Sequence, residues 1–131
     1  MKAHQPVSAA AHEIAPDPRA VLSQAVVRAA RLLAIPQTEL ADIIGVSPAV
    51  MSRIVNGHKQ LDPGSKAWQL AALFVRVFRA LDAIVGSSDT AARAWMRGEN
   101  QALGGIPLHL MREPAGLART LDYLDAARAR L

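Results

Sequence analysis

No cysteine occurs in the chain. That excludes a disulfide framework, a thiol nucleophile and a cysteine-based zinc site together. It also suits a reducing compartment, and a cytoplasmic protein is expected. Aromatic residues make up only 4% of the sequence; Ala and Leu dominate instead, a composition that favours helix over sheet. Long apolar runs are missing too. The longest, around Leu70–Val75, stops at Arg76 and is far too short to span a bilayer, so no membrane partner is expected. The first residues lack the charged-then-apolar pattern of a signal peptide. The four histidines, at 4, 12, 58 and 109, form no i, i+4 pair and have no cysteine to complete a metal site. Acidic residues stand singly, and there is no nucleophile elbow. Gly104-Gly105 follows no strand and lacks the Gly-Lys-Ser/Thr ending of a phosphate loop. No catalytic residue, no metal and no cofactor is expected, and the chain does not read as an enzyme.

What is present is apolar periodicity of one kind. With 131 residues and 51% apolar content the chain suffices for one domain or two very small ones. Residues 1–18 hold three prolines, two histidines and small residues without apolar period, and read as a flexible arm in which His4 and His12 are solvated. From Arg19, the residues Val21, Leu22, Ala25, Val26, Ala29, Leu32 and Leu33 make a helical stripe that Pro36 stops. A second unit, residues 37–57, is discussed below. The stretch His58–Gly64 is rich in turn residues. Ser65–Val85 is a long helix whose apolar residues, from Trp68 through Phe78 to Val85, cover more than one face. Such a helix is buried on several sides, either joining the two halves and a second subunit or lying wholly inside one chain. Gly86 ends it, Ser88 or Asp89 caps a helix Thr90–Arg97 anchored by Trp95 and Met96, and Pro107 starts a short helix with Leu108, Leu110 and Met111 inward. Pro114 opens the last helix, with Leu117, Leu121 and Leu124 on one face and Leu131 extending it. No strand candidate survives, so the fold class is all-α. The segments divide as arm 1–18, a first helical unit 19–64, a connecting or dimerisation helix 65–88, and a C-terminal unit 89–131.

Residues 37–57 carry the clearest chemistry. Leu40, Ala41 and Ile44 share one helical face. Gly45 stands where a helix ends in a left-handed conformation, and Val46 anchors the turn. Ser47 caps the next helix, and Pro48 occupies its first position, where a missing N–H costs nothing. Val50, Met51 and Ile54 form the inner stripe of that helix, leaving Pro48, Ala49, Ser52, Arg53 and Asn56 outside. A plain helical hairpin with a glycine cap would share part of this pattern. The layout is nonetheless what a DNA-reading helix-turn-helix needs: small residues at the crossing and a short polar face for the major groove. Through Gln37, Leu40, Ala41, Gly45, Val46, Ser47, Ser52, Arg53 and Gly57 it resembles the Xre-type, phage-repressor-like helix-turn-helix.

Charge placement agrees with that reading. Between Val46 and Arg79 there are five cations (Arg53, Lys59, Lys66, Arg76, Arg79) against Asp62, whereas the last 43 residues are nearly balanced. The basic excess lies at and just after the recognition helix, where phosphates would be met. The expected DNA-binding residues are Gln37, Ser47, Pro48, Ala49, Ser52, Arg53, Asn56 and Lys59. Arg53 is assigned to a base edge or nearby phosphate, and Gln37 and Ser47 to phosphates at helix N-termini. For Lys59 a solvated charge is the competing account.

The second half has a pattern of its own: Ala94, Trp95 and Met96, then Asn100, Leu103, Gly104, Gly105, Pro107 and Leu110, then Gly116, Leu121 and Leu124. In this order it resembles the C-terminal toxin-binding domain of the Xre/MbcA/ParS antitoxins, with Gly98-Glu99, His109 and Ala115 departing from the usual residues. Together with the helix-turn-helix the resemblance covers about residues 20–131. It implies an antitoxin that occludes the active site of a RES-domain toxin, an enzyme that destroys NAD or ADP-ribosylates a target. It also implies repression of the antitoxin's own operon. A homodimer and a larger toxin–antitoxin complex would follow. Arg119, Asp122, Arg128, Arg130 and Leu131 are the expected toxin-facing residues, since the planar fork of Arg suits a site built for phosphates. The alternative is a stand-alone dimeric repressor whose C-terminal half dimerises or senses a ligand.

Overall fold

A computed structural model describes residues 15–131; most of the N-terminal arm, with His4 and His12, lies outside them. Seven helices follow in order: α1 Pro18–Leu32, α2 Gln37–Ile44, α3 Pro48–Val55, α4 Lys66–Ile84, α5 Asp89–Arg97, α6 Pro107–Leu110 and α7 Pro114–Ala129. Among the described residues there is no strand, only an isolated bridge between Asn100 and Gly105. The all-α expectation holds.

Local chemistry sets most of the boundaries. Asp17 Oδ1 accepts the Arg19 N–H at 3.0 Å. Ser47, Ser65 and Ser88 each accept the amide three residues on, at 3.1, 3.1 and 3.2 Å. Each hydroxyl satisfies a donor that the first helical turn leaves unpaired. Prolines open α1, α3, α6 and α7. Gly45 closes α2 with φ +74°, and Gly86 follows α4 with φ +61°.

Helix α1 departs from expectation in three ways. It begins at Pro18, not Arg19, and ends at Leu32, well before Pro36, because Ala34 takes a left-handed φ of 54°. Val21, expected in the stripe, is 46% exposed, while Ser23, Val27 and Ala30 are buried. The inner face is therefore rotated from the one that the apolar residues alone suggest. Ser23 explains the rotation: its Oγ accepts the Leu61 N–H at 3.0 Å in the interior. That bond draws the segment between α3 and α4 onto α1 and buries Leu61 to 3% exposure. A buried amide left without such a partner costs about 1–3 kcal/mol.

Helix α4 is the spine. It packs on α1 and α2 on the N-terminal side and on α7 and α5 on the C-terminal side, with α7 its most extensive neighbour. Leu70, Ala71, Phe74, Val75, Val77, Ala80 and Leu81 are buried within the chain, and Trp68, Leu73, Phe78, Ile84 and Val85 are partly buried against the same core. Its several apolar faces thus serve four helices of the same chain, two on each side. Leu117, Leu121 and Leu124 of α7 complete the contact, each contributing roughly 1.5–3 kcal/mol by burial. Leu131 does not extend that face. It is 80% exposed, two residues past Ala129, where α7 ends.

Candidate nucleic-acid and partner interfaces

The turn between α2 and α3 is built as the sequence suggests. Leu40, Ala41, Ile43, Ile44, Met51 and Ile54 are buried, and the Gly45 and Val46 amides both donate to the Ala41 carbonyl, at 2.9 and 3.0 Å. With α2 and α3 fixed against α1 and α4, the remaining face of α3 is left to solvent. Pro48, Ala49, Arg53 and Asn56 are exposed on it and Ser52 half-buried. The Asn56 amide donates to Ser52 Oγ at 3.5 Å, a long bond between neighbours one turn apart. Gln37 and Ser47 are exposed at the starts of α2 and α3. Ser47 spends one lone pair on its cap and keeps its O–H to give. Glu39, in the first turn of α2, is half-buried with Oε2 shielded and unpartnered, a carboxylate held where the helix dipole favours it.

Beyond the C-terminal end of α3 the chain turns back, and Arg53, Gly57, His58, Lys59, Gln60 and Asp62 line a shallow depression that also takes in Arg19 of α1. Five of the eight expected DNA-binding residues (Pro48, Ala49, Ser52, Arg53 and Asn56) share the outer face of α3. Ser47 stands at its N-terminal end, Gln37 at the start of α2, and Lys59 past the C-terminal end. Arg19 escapes the sequence argument because its proximity to Arg53 depends on how α1 crosses α3.

The C-terminal half is organised around α7. Gly116 meets the α6 end so closely that a Cβ would overlap the Leu110 carbonyl oxygen, so only glycine lets the two helices approach. Thr120, fully buried, donates its hydroxyl to the Gly116 carbonyl at 2.8 Å. The Asn100–Gly105 loop closes on itself, with the Asn100 N–H donating to Gly105 O at 2.9 Å and Asn100 Oδ1 accepting the Leu103 N–H at 3.0 Å. Trp95 and Tyr123 stack with ring centroids 6.3 Å apart, fastening α5 to α7.

The expected toxin-facing residues fall into two groups. Arg119 donates to the Leu103 carbonyl at 2.7 Å, so its guanidinium already pins the loop. Asp125, further along α7, lies 3.6 Å from Arg76 of α4. Asp122, Arg128, Arg130 and Leu131 are exposed, and the last three stand at and just beyond the C-terminal end of α7.

Two arginines with no role in the sequence reading join the halves. Arg93 Nε donates to Leu32 O at 2.8 Å, and Arg97 donates to Leu33 O at 3.0 Å and Ala34 O at 2.7 Å. These carbonyls end α1, where partial negative charge gathers, and two cations from α5 answer it.

Among the described residues no three of His, Cys, Asp and Glu stand together as a metal site, and no helix is long and apolar enough to cross a membrane. Residues 12–76 match the antitoxin Xre-like helix-turn-helix domain. Residues 80–130 match the antitoxin Xre/MbcA/ParS C-terminal toxin-binding domain. No curated protein was found to match the sequence. The two matches meet inside α4 and leave out little of the chain between them. With a helix-turn-helix at one end and a toxin-binding fold at the other, the chain belongs to the Xre/MbcA/ParS family of antitoxins.

Proposed function

We propose that this antitoxin neutralises a RES-domain, NAD-consuming toxin by placing the C-terminal end of α7 at the toxin's nucleotide pocket. The same chain, as a cytoplasmic homodimer, represses its own operon through α3. The observation that carries the first half is the end of α7. Arg128, Arg130 and Leu131 project past the last core residue, Leu124, and none of the three makes a side-chain bond elsewhere in the described chain. Guanidinium groups so presented suit a pocket shaped for a pyrophosphate, and the exposed Leu131 supplies an apolar contact. Asp122, exposed on the same helix six residues before Arg128, is available to the rim of such a contact. Arg119, exposed on the same helix, holds the Leu103 loop with one donor and has others to give to the toxin.

The carrier of the second half is α3, with Ser52, Arg53 and Asn56 on a face no other element covers. Two copies are needed because one recognition helix reads too few base pairs for tight operator binding. The chain itself supplies no catalytic step in this scheme.

The test is a trimmed chain. Removing residues 128–131 takes nothing from the core, whereas a cut at 120 would remove Leu121 and Leu124 and unfold the protein. Co-expressed with a RES toxin encoded beside it, the chain lacking 128–131 is expected to fold, to stay associated through the rest of its C-terminal half, and to leave the toxin active. Full neutralisation by the trimmed chain would place the occluding element elsewhere.

A further inference from the structure

Next to the depression around Arg53 lies a groove of about 650 Å³ between α1 and the end of α3, and the two share Gly57, Lys59 and Gln60. Its wall on α1 is formed by Gln24, Val27, Arg28 and Arg31. Gln24, Arg28 and Arg31 follow one another at i, i+4 and i+7, so they lie along one face. Taken together, the linings of the two hollows contribute Arg19, Arg28, Arg31, Arg53 and Lys59, with His58 among them, opposed by one anion, Asp62.

The charge of this set is unspent, as it also is at Lys66, Arg79, Arg112, Arg128 and Arg130; here, though, five such cations border two adjoining hollows. Among the described residues none of these five cations has a carboxylate within ion-pair distance, and none donates from its side chain to another protein group. Arg93, Arg97 and Arg119, by contrast, give their donors to backbone carbonyls. Nor are the groove residues leftovers of the core: Arg28 and Arg31 are exposed. A set of like charges without counter-ions repels itself and is held together only by the fold, which is the arrangement that an anionic polymer complements. Arg28 and Arg31 are three residues apart on one face of α1, about 4.5 Å along its axis, which is close to the roughly 3.4 Å of axis between phosphates on one DNA strand, so the pair suits neighbouring phosphates.

We infer that α1 is a second DNA-contacting element, in which Arg28 and Arg31, with Arg19 and Lys59, grip the phosphate backbone beside the site read by α3. This rests on the DNA reading above and extends it. The α3 face selects sequence, and the α1 pair adds sequence-independent affinity and fixes how the recognition helix is seated.

The test uses the full chain and the double variant Arg28→Gln/Arg31→Gln. Binding is followed by fluorescence anisotropy at several KCl concentrations. One labelled duplex comes from the region preceding the chain's own gene, and the other is an unrelated duplex of equal length. The double variant is expected to bind both duplexes more weakly by a similar factor. Its plot of log K against log salt should be shallower by about 1–2, since each lost phosphate contact removes about 0.9. Arg53→Ala should instead narrow the preference between the duplexes. An unchanged salt slope in a double variant that melts like the parent, with Arg53→Ala still impaired, overturns the inference and leaves the DNA reading standing. Loss of toxin association in the double variant, with DNA binding intact, would also overturn it, by assigning the pair to a protein partner. If the parent chain binds neither duplex, the DNA reading fails first and this inference with it.

Discussion

Gly116 is where the C-terminal half tolerates least. A methyl group there would overlap the Leu110 carbonyl oxygen and sit 2.7 Å from its carbon, and both belong to backbone that cannot rotate away. Gly116→Ala must push α6 off α7, and a loss of about 3 kcal/mol or more is expected, lowering Tm by roughly 10 °C. Thermal unfolding by circular dichroism measures it. Gly45 is a different case: its added Cβ would meet Leu70 Cδ1 at an ordinary 3.5 Å, and the objection is only the left-handed φ. The sequence makes Gly45 legible because a helix end, a turn and a Ser-Pro start flank it. Gly116 is a plain residue in the first turn of a helix whose need for glycine comes from another helix. Ser23 was hidden for the same reason. A serine inside an apolar stripe looks like an interruption until its partner, Leu61, is seen 38 residues away.

At the scale of elements, the clasp of α5 on the end of α1 is the least guessable contact and among the most consequential. Arg93 and Arg97 reach carbonyls 61 to 64 residues earlier, a distance over which no periodicity speaks. Arg97→Ala is expected to cost about 1–2 kcal/mol, combining two charge-assisted bonds with the loss of a cation from a helix C-terminus. Arg97→Lys should recover little of this, because one ammonium cannot span two carbonyls as the planar fork does. Urea midpoints for the parent and both variants decide the point. The exposed pair Arg76–Asp125, at 3.6 Å, is the internal contrast, and a double-mutant cycle there should return well under 1 kcal/mol. Helix starts were legible because a Ser or Pro announces each within a few residues. The end of α1 was not, since it is set by Ala34 turning left-handed ahead of Pro36.

Over the whole molecule, α4 decides how the parts behave together. Its first turns close the core of the helix-turn-helix and its later turns pack against α7. Periodicity could show that several faces of α4 are apolar. It could not show whether a second chain or the same chain covers them, because burial by α1, α2 and α7 leaves the same mark in sequence as burial by a copy. One cooperative transition is expected, with no state in which one half is folded alone. The two tryptophans allow a direct measurement: Trp68 sits near the start of α4 and Trp95 in α5. In Trp68→Phe the remaining indole reports on the C-terminal half, and in Trp95→Phe on the region around the helix-turn-helix. Each reporter's urea midpoint should coincide with that seen by circular dichroism on the same variant. Separated midpoints would mean that the halves unfold independently.

A shared spine also constrains how such a protein can be rebuilt. Operator choice resides at one end of the chain and toxin choice at the other, which invites treating them as interchangeable cassettes joined at the loop before Ser65 or after Gly86. Either splice would graft a foreign α4 against half of its native neighbours, and would separate Arg93 and Arg97 from the α1 carbonyls they fit. Recombinants that keep both specificities must therefore carry matching surfaces on α4, α1 and α5 as a set. Under the function proposed above, new pairings of toxin and operator are reached more readily by changing exposed residues on α3 and at the C-terminal end of α7 than by exchanging whole halves.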